Sequence, residues 1–208
     1  MPTLLTGTLA LASGAAAGLT HVYAGPDHLA ALAPLAMHDR TRATRAGALW
    51  GLGHGLGVLG LGGIGLVARN VIDINAVSAW SEFAVGFLLV LVGGWALGKA
   101  WRGPSLEKHD HPPPSARAAL GLGLFHGTAG TGHLFGVLPS LALPQSLAAA
   151  YLIAYLLAAV VSMALFARII GAATDRLGTQ NMGTMLGGAG VLSICVGLFW
   201  IVTGWPLA

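Results

Sequence analysis

Two short stretches of this 208-residue chain carry side chains able to hold a cation, and they share one wording. Residues 21–34 read His-Val-Tyr-Ala-Gly-Pro-Asp-His-Leu-Ala-Ala-Leu-Ala-Pro, and residues 126–139 read His-Gly-Thr-Ala-Gly-Thr-Gly-His-Leu-Phe-Gly-Val-Leu-Pro. The common frame is H-x-x-A-G-x-x-H-L-x-x-x-x-P, repeated at an offset of 105 residues. Both copies lie in strongly apolar surroundings, where imidazole and carboxylate are costly to keep. The first copy holds His21, Asp27 and His28. The second holds His126 and His133, with Gly132 where the first has Asp27. A further histidine, His54, stands among glycines in Gly51-Leu52-Gly53-His54-Gly55-Leu56-Gly57. Imidazole with a carboxylate suits Ni, Co, Zn or Fe better than Mg, Ca or Cu(I). The expected metal ligands are therefore His21, Asp27, His28, His54, His126 and His133.

Spacing adds a geometric condition. On an unbroken helix His21 and His28 share a face but stand about 10 Å apart along the axis. That is too far for one ion, whose nitrogen ligands lie about 2 Å away. Gly25-Pro26 sits between them. Proline removes a backbone donor, frees the carbonyl of Val22 and breaks or kinks the helix. A break there folds the two histidines inward and offers a carbonyl as an extra ligand. Such backbone is tolerated at membrane depth where it lines a cavity. In the second copy the break would rest on Gly127, Gly130 and Gly132. The pairs Gly51/Gly55 and Gly53/Gly57 let the helix around His54 pack very close to a neighbour. The first span is the expected neighbour, which would bring His54 to the motif.

The elements that must position these residues are membrane helices. Hydrophobic residues make up 55% of the chain and charged residues 8%, against about 25% charged in soluble domains. Mean hydropathy is +0.77. A single cysteine, Cys195, excludes disulfides and C-x-x-C redox chemistry. The sequence pI near 9.5 reflects a few basic residues in short loops, which argues for membrane orientation and not for nucleic acid as a partner.

Apolar stretches long enough to span lie at 12–37, 46–68, 80–101, 117–142, 146–171 and 183–204. Arg40, Arg42 and Arg45 follow the first, Lys99, Arg102, Lys108 and Arg117 the third, and Arg168 and Arg176 the fifth; only Arg69 falls on the other side. That asymmetry makes the odd loops cytoplasmic and both termini external, in the cell's inner membrane. No basic segment precedes the first apolar run, so no cleaved signal peptide is expected. The predicted fold is all-α: a polytopic membrane protein of six transmembrane helices. These form two inverted three-helix repeats, 1–104 and 105–208, with helices 1 and 4 kinked or broken. The connecting loop, 102–117, contains Pro112-Pro113-Pro114. A weaker echo of the duplication pairs Gly86-x-Leu88-x-x-x-Val92-Gly93 with Gly190-x-Leu192-x-x-x-Val196-Gly197. His109-Asp110-His111 read as a solvated loop, and His38 and Asp39 as interfacial loop residues.

Two imitations carry no function. Gly93-x-x-x-x-Gly98-Lys99-Ala100 lacks the Ser/Thr and the preceding strand of a phosphate loop, and Gly60-x-Gly62-x-x-Gly65 lies mid-membrane. With no ATP motif, transport energy must come from an ion gradient, the membrane potential or a partner subunit.

His21…Asp27-His28, followed by Leu52-Gly53-His54 on the next helix, resembles the nickel/cobalt transporter superfamily, whose signature is H-x4-D-H and then L-G-H. Gly25-Pro26-Asp27-His28-Leu29-Ala30-Ala31 is most similar to its short, urease-accessory-type branch. The spacing here is H-x5-D-H, and the chain has six apolar stretches where better-known members have eight spans. The resemblance implies that His21, Asp27, His28 and His54 take part in metal recognition.

The expectation is a secondary transporter, not an enzyme. Its cargo is Ni²⁺ or Co²⁺, with Zn²⁺ or Fe²⁺ behind them, and it has no permanently bound cofactor. Its partners are the metal ion, the lipid bilayer and a cytoplasmic metallochaperone. Ligation needs neutral histidine, so uptake should weaken below about pH 6.5. Two other classes compete: a b-type haem or electron-transfer protein with bis-histidine ligation, and a sulfite-type anion exporter. The exporter lacks its expected signal, a buried Arg or Lys in a span.

Overall fold

Gly25 and Pro26 interrupt the first helical stretch. In the computed structural model, α1 (Pro2–Ala24) stops before Gly25, and α2 (Pro26–Leu35) starts on the proline. Gly25 is extended, with φ −91° and ψ 99°. Proline fits the first helical position because the N–H it lacks has no intrahelical partner there. The structure describes residues 2–37, 39–68, 74–102, 116–128 and 136–204. Asp39 caps the next helix, α3 (Arg40–Ala68): its Oδ1 accepts from the Thr41 N–H at 3.0 Å and the Arg42 N–H at 3.1 Å.

The chain continues through α4 (Ile74–Trp101), α5 (Ala116–Gly127) and a short 3-10 helix (Leu138–Ala142). A long helical run follows, divided at Gly178 into α6 (Gln145–Gly178) and α7 (Gln180–Thr203). Gly178 has φ 71°, a left-handed value that side chains disfavour. No strand occurs among the described residues.

The described residues are all-helical, and among them three helices are long and apolar enough to cross a membrane: Ala79–Trp101 within α4, then α6 and α7. The other apolar stretches of the sequence take different forms. The first is divided at Gly25, and α5 has 12 helical residues. At 29 residues α3 is long enough as well, and its arginines, Arg40, Arg42 and Arg45, all stand in its first two turns. Ile169, Phe199, Leu157 and Phe87 point outward from α6, α7 and α4, as expected of surfaces in contact with lipid.

Small residues decide which helices touch. On α4 and α7, a β-carbon on Gly86 would stand 2.8 Å from the Gly197 carbonyl oxygen, and one on Gly93 would stand 2.6 Å from that of Gly190. Between these contacts the Ser193 hydroxyl donates to the Leu89 carbonyl at 2.8 Å. On α3, Gly53 and Gly57 lie against Leu120, Leu124 and Gly127 of α5, while Gly47, Gly51 and Gly55 lie against Met163, Val160 and Leu156 of α6. The expectation that the α3 glycines serve the first span is corrected: they serve α5 and α6. Helix α1 places its own Gly14 and Gly18 on the Tyr151 and Tyr155 carbonyls of α6. Val22, Leu32, Trp50, Val85, Leu89 and Met163 form the buried core between these helices.

Candidate metal centre

Four helices deliver five of the six sequence-predicted residues to one buried cluster. His21 sits in the last turn of α1 and His126 in that of α5. Asp27 and His28 open α2, and His54 lies in the middle of α3. Asp27, His28, His54 and His126 are each 3% exposed or less; His21 is partly exposed. The break at Gly25 brings the His21 and His28 rings to 4.8 Å between centroids. His133 lies outside the described residues, as do His38, His109, Asp110 and His111.

The contacts fall into two groups that share His28. In the first, the Nε2 atoms of His21 and His54 are 2.9 Å apart, and those of His28 and His54 are 3.4 Å apart. These are the separations of neighbouring ligands about 2.0–2.1 Å from one ion. In the second, the His126 Nε2 meets Asp27 Oδ2 at 2.9 Å, and the His28 Nδ1 meets Asp27 Oδ1 at 3.3 Å. The backbone carbonyl brought into the cluster is that of Gly25, 3.3 Å from the His28 Nδ1 and accepting the His28 N–H at 3.2 Å. Five imidazole- or carboxylate-bearing side chains converge with a single formal negative charge among them, a set suited to a divalent cation.

Two wall residues escaped sequence reasoning. Trp50 stacks on His54, with centroids 5.5 Å apart and planes 6° from parallel, and lies 5.0 Å from the His126 ring. Its signal was available, since it stands four residues before His54 on one helix face. Tyr155 of α6 lies 5.7 Å from the His21 ring, and nothing in its sequence context separates it from other apolar-helix aromatics. Lys99, which imitated a phosphate-loop lysine, instead rests over the Trp95 ring in α4 at 4.9 Å.

No family model matches this chain, and no solved structure matches it. It is similar to two proteins of Arabidopsis thaliana. One is named chloroplast protein FOR GROWTH AND FERTILITY 1, with 34% identity over 184 residues, covering 79% of this chain and 50% of the relative. The other is named chloroplast protein FOR GROWTH AND FERTILITY 2, with 34% identity over 178 residues, covering 79% of this chain and 48% of the relative. The chain thus spans about half the length of the curated relatives it matches.

Proposed function

We propose that this chain is a secondary transporter of a divalent transition-metal cation, nickel or cobalt first, and that its cargo binds at the cluster of His21, Asp27, His28, His54 and His126. The observation that carries this reading is the convergence of these side chains, from four helices, at a helix break inside an apolar bundle. Buried ionisable groups in membrane helices mark ion pathways. Transporter sites favour discontinuous helices at the interface of related halves.

The proposed architecture is six spans in two inverted repeats. A pattern of exchanged contacts supports it. Moving each residue by the 105-residue offset turns the contact of Gly18 with Tyr155 into that of Gly123 with Trp50, and the contact of Gly51 with Val160 into that of Gly55 with Leu156. With the 104-residue offset of the weaker echo, Gly86 on Gly197 becomes Gly93 on Gly190. The proposed location is the inner cell membrane with both termini outside. The exposed pair of Arg40 and Asp175, 3.2 Å apart, fits that orientation, because it joins two segments assigned to the cytoplasmic face. The names of the two relatives place those proteins in the chloroplast.

The haem reading has less support. A porphyrin needs a slot between its two axial imidazoles, and here the closest imidazole nitrogens meet at 2.9 Å. The deciding experiment reconstitutes the purified protein in liposomes and measures uptake of Ni²⁺, Co²⁺, Zn²⁺ and Mg²⁺, with calorimetric titration of each ion. Saturable Ni²⁺ or Co²⁺ uptake, lost in His54→Ala, is expected. A wild-type protein that neither binds nor moves any of the first three ions overturns the proposal, and a Soret band would favour the haem alternative.

A further inference from the structure

The five clustered side chains need not share one role, and their hydrogen-bonding edges separate them. The Nδ1 of His28 lies beside two acceptors, Asp27 Oδ1 at 3.3 Å and the Gly25 carbonyl at 3.3 Å. A neutral imidazole has one N–H and one lone pair. The hydrogen must therefore be on Nδ1, which leaves the Nε2 of His28 as its lone-pair end. That end points at the Nε2 of His54, 3.4 Å away, which in turn lies 2.9 Å from the Nε2 of His21. Three imidazole nitrogens thus meet, and one of them is already fixed as an acceptor. A hydrogen on the central His54 Nε2 can serve the two pairs, and a cation in its place would bond all three.

The other two residues are turned differently. The Nε2 of His126 stands 2.9 Å from Asp27 Oδ2, so it donates its hydrogen there. Asp27 then has one oxygen on the N–H of His28 and the other on the N–H of His126. A carboxylate holding the far N–H of a ligating imidazole fixes its ring and tautomer and raises its basicity.

We propose that the Nε2 atoms of His21, His28 and His54 ligate the cargo, while Asp27 and His126 act behind them as positioning residues. This deepens the transport reading and rests on it. His126 fixes the Asp27 carboxylate, and Asp27 fixes His28. The coupling crosses from α5 to α2, so the second half of the chain reaches the cargo through a carboxylate of the first.

The test uses the full-length protein loaded with Co²⁺, whose visible bands and X-ray absorption report ligand number and type. Wild type should show three imidazole nitrogens. Asp27→Asn and His126→Ala should keep the band positions and nitrogen count while binding about 10–100-fold more weakly. His21→Ala and His54→Ala should lose a nitrogen and shift the bands. His126→Gln, whose amide N–H can still reach Asp27, should recover most of the affinity lost in His126→Ala; it also serves if the alanine variant does not fold. Loss of a first-sphere ligand in Asp27→Asn, or in both His126 variants, would overturn the inference and place the cargo between Asp27, His28 and His126. A wild-type protein that neither binds nor takes up Ni²⁺, Co²⁺ or Zn²⁺ would overturn the transport reading itself, a result distinct from bound metal with the roles reversed.

Discussion

Asp27 and His126 are 99 residues apart in the chain and 2.9 Å apart in space, both buried. Their contact ties the first turn of α2 to the last turn of α5. Replacing His126 by alanine removes one of the two imidazole donors facing the Asp27 carboxylate, a loss of about 1–3 kcal/mol for a buried group. Thermal unfolding in detergent should show a lower midpoint for His126→Ala and a smaller drop for His126→Gln, without any metal present. An unchanged midpoint in both would mean that the pair contributes nothing to folding.

The interface of α3 with α5 predicts a sharp contrast between glycines. A β-carbon on Gly123 would run into the Trp50 carbonyl, and one on Gly127 into the His54 carbonyl, whereas Gly121 on the same helix has open space. Gly123→Val and Gly127→Val should abolish the monodisperse peak in size exclusion, because backbone cannot give way as a flexible side chain does. Gly121→Ala should stay within about 0.5 kcal/mol of wild type.

Trp50 makes a packing prediction and a spectroscopic one. It is 1% exposed and packed on His54 and His126. Trp50→Ala should cost about 3–5 kcal/mol through the cavity it leaves, and Trp50→Phe considerably less. If cargo binds beside it, Ni²⁺ should quench part of the tryptophan emission of wild type, and Trp50→Phe should remove that part. Equal quenching in the two proteins would place the ion elsewhere.

The pair of Arg40 and Asp175 is predicted to matter little for stability. Its side chains are 46% and 39% exposed, and solvent screening limits such pairs to about 0–1 kcal/mol. A double-mutant cycle with Arg40→Ala and Asp175→Ala should give a coupling within that range. A larger value would show that the end of α6 is held to the start of α3 more firmly than an exposed pair allows.

These outcomes trace back to what the sequence could and could not say. The break at Gly25-Pro26 was legible because proline acts on its own backbone, whatever surrounds it. The repeated motif named His21, Asp27, His28 and His126 because titratable groups are conspicuous against an apolar background. The partner of α3 was not legible. Its glycines announced a close approach, but an absent side chain does not name its neighbour, and α5 and α6 fill that place. The apolar patterning of α4, α6 and α7 carried over as helices able to cross a membrane. Trp50 and Tyr155 stayed hidden because an aromatic that walls a polar cluster looks in sequence like one packed against lipid.

The 34 residues of α6 make a rod about 50 Å long, well beyond the roughly 30 Å of a hydrocarbon core. It must lean steeply or stand proud of the headgroups. Tyr155, beside the imidazoles, lies about a third of the way along it, and Asp175 lies near its far end. Any swing of this rod about its buried part is magnified at the tip, so a spectroscopic label there would register the smallest rearrangement around the cluster as the largest displacement.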